Sequence, residues 1–127
     1  MKLFILLNAL LELGVGVLMI LFSKQLPGID ASDIMTVTLA RMYGAAAITI
    51  GFYALKVWKT MLSVPQIKSC LTILAVFHLG IAYVAFGGYW DGISLFAGVA
   101  ILHLLLLLIA IGFIWNLKGK NGKLTAN

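Results

Sequence analysis

The sequence predicts an all-α, polytopic membrane protein: a single four-transmembrane-helix bundle with both termini in the cytoplasm. Three observations predict it. Of the 127 residues 63% are hydrophobic and only 10% charged, whereas a soluble domain carries roughly 25% charged residues, so there are too few charges to clothe a water-facing surface. Four apolar runs each reach the roughly 20 residues that a membrane helix needs. The lysines, finally, are unevenly shared among the segments between those runs. The mean hydropathy of +1.13 agrees, and the length allows one compact membrane domain without a sizeable soluble one.

The four spans are Leu3–Phe22, Met35–Trp58, Ser69–Tyr89 and Ile93–Trp115. The first begins after Lys2 and resembles the apolar part of a signal peptide. Its length, its Glu12 and the lack of a small-x-small cleavage site before Lys24 predict a retained helix. Between the first two spans, Ser23–Ile34 holds Pro27-Gly28 and two aspartates, which is turn chemistry. Pro65 fits a loop or the first turn of the third helix. Gly87-Gly88 and Asp91-Gly92 mark a tight reversal, and the polar tail 118–127 is expected to fray.

Four spans put both termini and the second loop on one side of the membrane. That side carries Lys2, Lys56, Lys59, Lys68, Lys118, Lys120 and Lys123. The other side has Lys24, with Arg41 just inside its boundary, and takes Asp30, Asp33 and Asp91. Lysine and arginine accumulate on the cytoplasmic side, so the expected location is the cytoplasmic (inner) membrane. The lone Cys70 can make no internal disulfide and leaves the redox compartment unread. Net charge is +5, but the lysines form no basic stripe with interleaved aromatics, so no nucleic-acid partner is expected.

Four ionisable side chains fall within the spans: Glu12, Arg41, His78 and His103. Such groups are costly in lipid and turn toward protein or water. Asn8, Glu12 and Gly16 are four apart and share one helical face. Counted from the span ends, Glu12 and Arg41 differ in depth by about 6 Å, so an ion pair between the first two helices is expected, with Arg41, Gly44, Ala45, Ile48 and Gly51 or Phe52 on the facing side. Gly44 and Gly51 would admit a close backbone approach. The pair either fixes helix register or forms one wall of a site in which Glu12 meets a ligand or carries a proton. Tyr43 falls toward a different face from Arg41 and stays outside that site.

His78 and His103 are equidistant from the turn at Trp90-Asp91, each about 12 residues away, near mid-membrane. Ala75, Ala82 and Ala85 share a face with His78; Ala100, Leu107 and Ala110 share one with His103. The two histidines could hydrogen-bond across the helices, line a polar cavity, or ligate one haem iron. Phe22, Trp58, Tyr89, Trp90 and Trp115 form the interfacial aromatic belt.

No Ser-His-Asp order, phosphate loop, paired metal-ligand motif or second intramembrane carboxylate is present, so an enzyme is not expected. Glu12, Arg41, Asn8, His78 and His103 are instead the candidate ligand-binding or ion-pair residues. They suit an amphiphilic ligand, a quinone, lipid or sterol-like molecule. The chain could equally serve as an accessory subunit of a membrane complex or as a homo-oligomer. The alternatives are a proton-coupled transporter centred on Glu12 and a haem redox protein using His78 and His103.

Two families share features with this chain. "LLNALLELGVGVL", the Pro-containing outer loop and "LARMYGAAAITIGFYAL" resemble the small DoxX-like membrane proteins over about Leu3–Trp115, with Arg41, Gly44 and Ala45–Ala47 in the pattern positions. That resemblance implies a four-helix bundle linked to quinone or redox-associated membrane complexes. "LELGVGVLMILFSK" around Glu12, with "GIAY" at Gly80–Tyr83, is similar to the small multidrug resistance transporters. That likeness implies that Glu12 binds protons and cationic drugs in turn. An arginine reaching Glu12 would oppose that role by holding the carboxylate ionised.

The lysine bias makes one direct prediction. A C-terminal tag should resist protease added to intact cells and yield once the membrane is opened; cleavage from outside would overturn the orientation.

Overall fold

The computed structural model describes residues 1–26, 29–60 and 63–124, with side chains to residue 117. Its long helices are α1 (Lys2–Leu21), α2 (Ile34–Thr60), α3 (Val64–Trp90) and α4 (Leu95–Leu124), with a short 3-10 turn at Ser23–Gln25. All four are long and apolar enough to cross a membrane. They also keep large apolar side chains on their outer faces, such as Leu7 and Leu10 on α1, Met42 on α2, Val76 and Leu79 on α3, and Leu105 and Leu108 on α4. The helices therefore describe an integral membrane protein. They group into two compact units, Met1–Thr60 and Met61–Asn127, each an antiparallel helical hairpin.

The first hairpin is closed by glycine. The buried residues of α2 are Val37, Ala40, Gly44, Ala47, Gly51, Ala54 and Val57, spaced three or four apart, which keeps a single stripe along the helix. A Cβ on Gly16 would lie 2.7 Å from the Gly44 carbonyl oxygen and 2.6 Å from the Ile48 side chain; one on Gly44 would lie 2.8 Å from the Gly16 carbonyl oxygen. One on Gly51 would meet Leu13 at 2.8 Å and the Ala9 carbonyl oxygen at 3.0 Å. Only glycine lets the two backbones approach this closely, as expected for Gly44 and Gly51. In lipid, such close packing replaces the hydrophobic drive that water would supply.

Polar residues close the helix ends. Asp33 caps α2: its Oδ1 accepts the Met35 amide at 3.0 Å, and its Oδ2 accepts the Thr36 hydroxyl. Those two bonds hold the Asp33 carboxyl below the usual carboxylate range, the Thr36 hydroxyl contributing most. Asp30 is lowered in the same way by the hydroxyl and amide of Ser32. Pro27-Gly28, read as part of this turn, lies outside the described residues.

The third helix starts at Val64, five residues before the expected Ser69. Ser63 caps it: Ser63 Oγ accepts the Gln66 amide at 3.4 Å and donates to Gln66 Oε1 at 2.9 Å. Pro65 then sits in the first turn, where its missing N–H costs nothing. At the other end Gly87 and Gly88 remain helical, and the reversal is made by Asp91-Gly92 alone. The Gly92 amide donates to the Tyr89 carbonyl and the Ile93 amide to the Gly88 carbonyl, both at 3.0 Å. That bond pair is the Schellman motif, and it needs the left-handed φ of +95° at Gly92. Gly88 leaves room for the Phe96 ring, which a Cβ would meet at 2.5 Å.

The fourth helix continues to Leu124, beyond the expected end at Trp115. The backbone of 118–124 is thus helical where fraying was expected, since no proline interrupts it; residues 125–127 lie outside the described residues.

The glycine seam makes a graded prediction. Gly16→Ala and Gly44→Ala should each destabilise the protein by about 1–3 kcal/mol through overpacking. Gly14→Ala, where nothing lies within 4 Å, should be neutral or slightly stabilising. Unfolding titrations in mixed micelles distinguish the two groups; equal effects at Gly14 and Gly44 would discard the seam.

Candidate functional site

In the second hairpin the buried stripe of α3 includes Leu71, Leu74, Ala75, His78, Ala82 and Ala85. On α4 Ala100, His103, Leu107 and Ala110 are buried. These are the faces expected for the two histidines. The alanines add little width, so the helices come close enough for the imidazoles to touch. His78 Nδ1 and His103 Nδ1 are 2.9 Å apart, a buried interhelical hydrogen bond. The ring centroids are 5.1 Å apart with planes inclined by 49°, and Phe77 packs edge-on to His78 at 5.9 Å.

Chemistry follows from which nitrogens meet. A neutral imidazole has one N–H and one bare nitrogen. Since both rings use Nδ1, one must donate and the other accept. Their outer Nε2 atoms are then of opposite kind: the donor ring has a bare Nε2, and the acceptor ring carries its hydrogen there. Among the described residues, the bond to His78 is the hydrogen bond that His103 makes.

As a metal centre this hairpin supplies two nitrogens. Its buried thiol, Cys70, is eight residues from His78, about 12 Å along the helix. The two Nδ1 atoms face each other at 2.9 Å with no gap between, so an iron would have to be held through the Nε2 atoms. These rotamers therefore suit a hydrogen-bonded pair.

In the first hairpin Asn8, Glu12 and Gly16 are all buried, so the predicted stripe exists. Asn8 Nδ2 donates to the Phe4 carbonyl at 3.0 Å. Tyr43 lies within electrostatic reach of the Glu12 carboxyl. Sequence spacing from Arg41 had set it aside. The usable signal was its position next to Gly44, where the two backbones meet.

Arg41 is the correction. It is exposed, and its Nε donates to Ser23 Oγ at 3.2 Å in place of the expected pairing with Glu12. Ala45 and Phe52 are exposed with it, so the buried face of α2 runs through Ala40 and Ala47. The register explains the arginine. Gly16 meets Gly44, which sets Glu12 level with Ile48, seven residues or about 10 Å from Arg41. Side chains also lean toward their own helix N-terminus. In an antiparallel hairpin Glu12 and Arg41 therefore lean apart, and Arg41 leans toward Ser23, itself buried.

Comparison of the chain with protein families, with curated proteins and with solved structures finds no match.

Proposed function

We propose that this protein binds an amphiphilic small molecule of the quinone, lipid or sterol class, using the histidine pair to hold the ligand's polar group. One observation carries the reading: two buried imidazoles bonded through Nδ1, His103 making no second hydrogen bond among the described residues, on helices whose other buried residues are apolar. A few placed polar groups in an apolar setting are the usual form of such a site. The lysine bias supports a cytoplasmic membrane with both termini inside.

The test uses the protein in lipid nanodiscs and a panel of a short-chain quinone, a phospholipid and a sterol. One of the three should raise the thermal midpoint, with saturation at 100 times Kd corresponding to about 2.7 kcal/mol. His103→Leu should abolish that rise. If no ligand shifts the midpoint, or the leucine variant responds like the wild type, the reading fails.

A second reading is favoured by the position of Arg41. With its Nε bonded to Ser23, the arginine is not the group that holds Glu12 ionised, and the main objection to a proton-carrying Glu12 falls away. Glu12 would then couple proton movement to the passage of a cationic substrate. In liposomes, a pH gradient should drive uptake of a lipophilic cation, and Glu12→Gln should stop it. Equal uptake by the glutamine variant would exclude Glu12 as the coupling residue.

A further inference from the structure

We propose that Arg41 binds the phosphate of an anionic phospholipid at the exposed surface of the first hairpin. The starting point is the hydrogen bond from Arg41 Nε to Ser23 Oγ at 3.2 Å, between an exposed arginine and a buried serine. This site belongs to the first hairpin alone and needs nothing of the histidine pair.

Ser23 gives the arginine a direction but no countercharge. Its hydroxyl accepts from Nε and stays neutral, so the guanidinium keeps its positive charge. Among the described residues, the bond to Ser23 is the hydrogen bond that Arg41 makes. The two aspartates of the same connection are engaged elsewhere: Asp30 accepts from Ser32, and Asp33 from Met35 and Thr36. Both carboxyls are lowered by those local bonds, without a contribution from Arg41. A charge within a membrane span is costly unless it is paired or wet. Arg41 stands seven residues inside α2, about 10 Å from its start, and Leu39 and Met42 beside it are exposed apolar side chains. Lipid is what covers such a surface, so the countercharge that fits comes from the lipid.

The bond to Ser23 also selects the shape of that anion. An arginine carries five N–H donors in a rigid fork. With Nε engaged, the paired edge that remains is the end edge, one N–H from each Nη. Two parallel N–H bonds at that spacing match two oxygens of one phosphate, and a lipid phosphodiester presents two such oxygens. Met42 and Phe52, exposed on α2 on the way to mid-membrane, offer its acyl chains a surface. Lys24 follows Ser23 directly and is exposed, so a second cation lies one residue from the anchor. That favours a lipid of net negative charge over one whose own ammonium balances its phosphate.

Native mass spectrometry of the full chain in detergent tests this, with phosphatidylglycerol and phosphatidylcholine of identical acyl chains as probes. One phosphatidylglycerol should bind about tenfold more tightly than phosphatidylcholine, the order expected of a charge-assisted hydrogen bond. Arg41→Gln should remove that preference. Arg41→Lys keeps the charge but loses the fork, and should restore only part of it. Ser23→Ala, which releases Nε, should weaken it by a smaller factor than Arg41→Gln. Saturating inorganic phosphate should leave the lipid bound. Equal affinity of the wild type for the two lipids, or an unchanged preference in Arg41→Gln, would overturn the site; displacement by inorganic phosphate would overturn the lipid as its source. The wild-type comparison and the lysine variant carry the test if the glutamine variant does not fold. Selective binding kept in His103→Leu and lost in Arg41→Gln assigns the lipid to the first hairpin, whereas the reverse removes this site and keeps the ligand reading.

Discussion

Hydrocarbon offers a buried polar group no water to bond, so each group must find its partner within the protein. That constraint explains much of the architecture here. The backbone meets it by helix formation, and the ends of the helices meet it with Asp33, Ser63 and the Gly92 turn. Side chains meet it where two helices touch: Asn8 bonds back to its own helix, Ser23 receives Arg41, and His78 and His103 bond to each other.

The two hairpins obtain close contact by different means. In α1–α2 three glycines bring backbone against backbone, with carbonyl oxygens of one helix where a methyl of the other would lie. In α3–α4 alanines line the buried faces, and two imidazoles meet between the helices. A glycine seam leaves no room for a ring. An alanine seam does, so the chemistry-bearing pair belongs to the second hairpin. Mean interhelical hydrogen-bond energies in membranes are only about 0.6 kcal/mol, so holding the helices together is a modest use of two titratable side chains.

Much of this was legible in the sequence, and what was not has a definite cause. The four helices follow from hydropathy. The meeting of His78 and His103 follows from their equal distance to a short, glycine-marked turn, which leaves little freedom in the stagger of α3 against α4. The faces of those helices follow from their alanines. Arg41 escaped because the segment between α1 and α2 is longer, and span ends counted from hydropathy do not fix stagger. Gly16 against Gly44 sets that stagger, a contact in which the absence of side chains matters and hydropathy is silent. The early start of α3 was written in Ser63 and Gln66, a capping pattern hidden beside Pro65.

Arg41 also acts as a draught mark. It lies one helical level inside the end of α1 and sends its guanidinium outward to Ser23. Of the five N–H donors of an arginine, this bond uses one and leaves four for the headgroup zone. Were the hairpin to sink by one helical turn, about 5.4 Å, those donors would enter oil. Were it to rise as far, Leu18 and Leu21, now exposed on α1, would meet water. Ile34, Met35 and Leu39, between Arg41 and the start of α2, are exposed as well, so the apolar surface of the hairpin runs on past the arginine and encloses it.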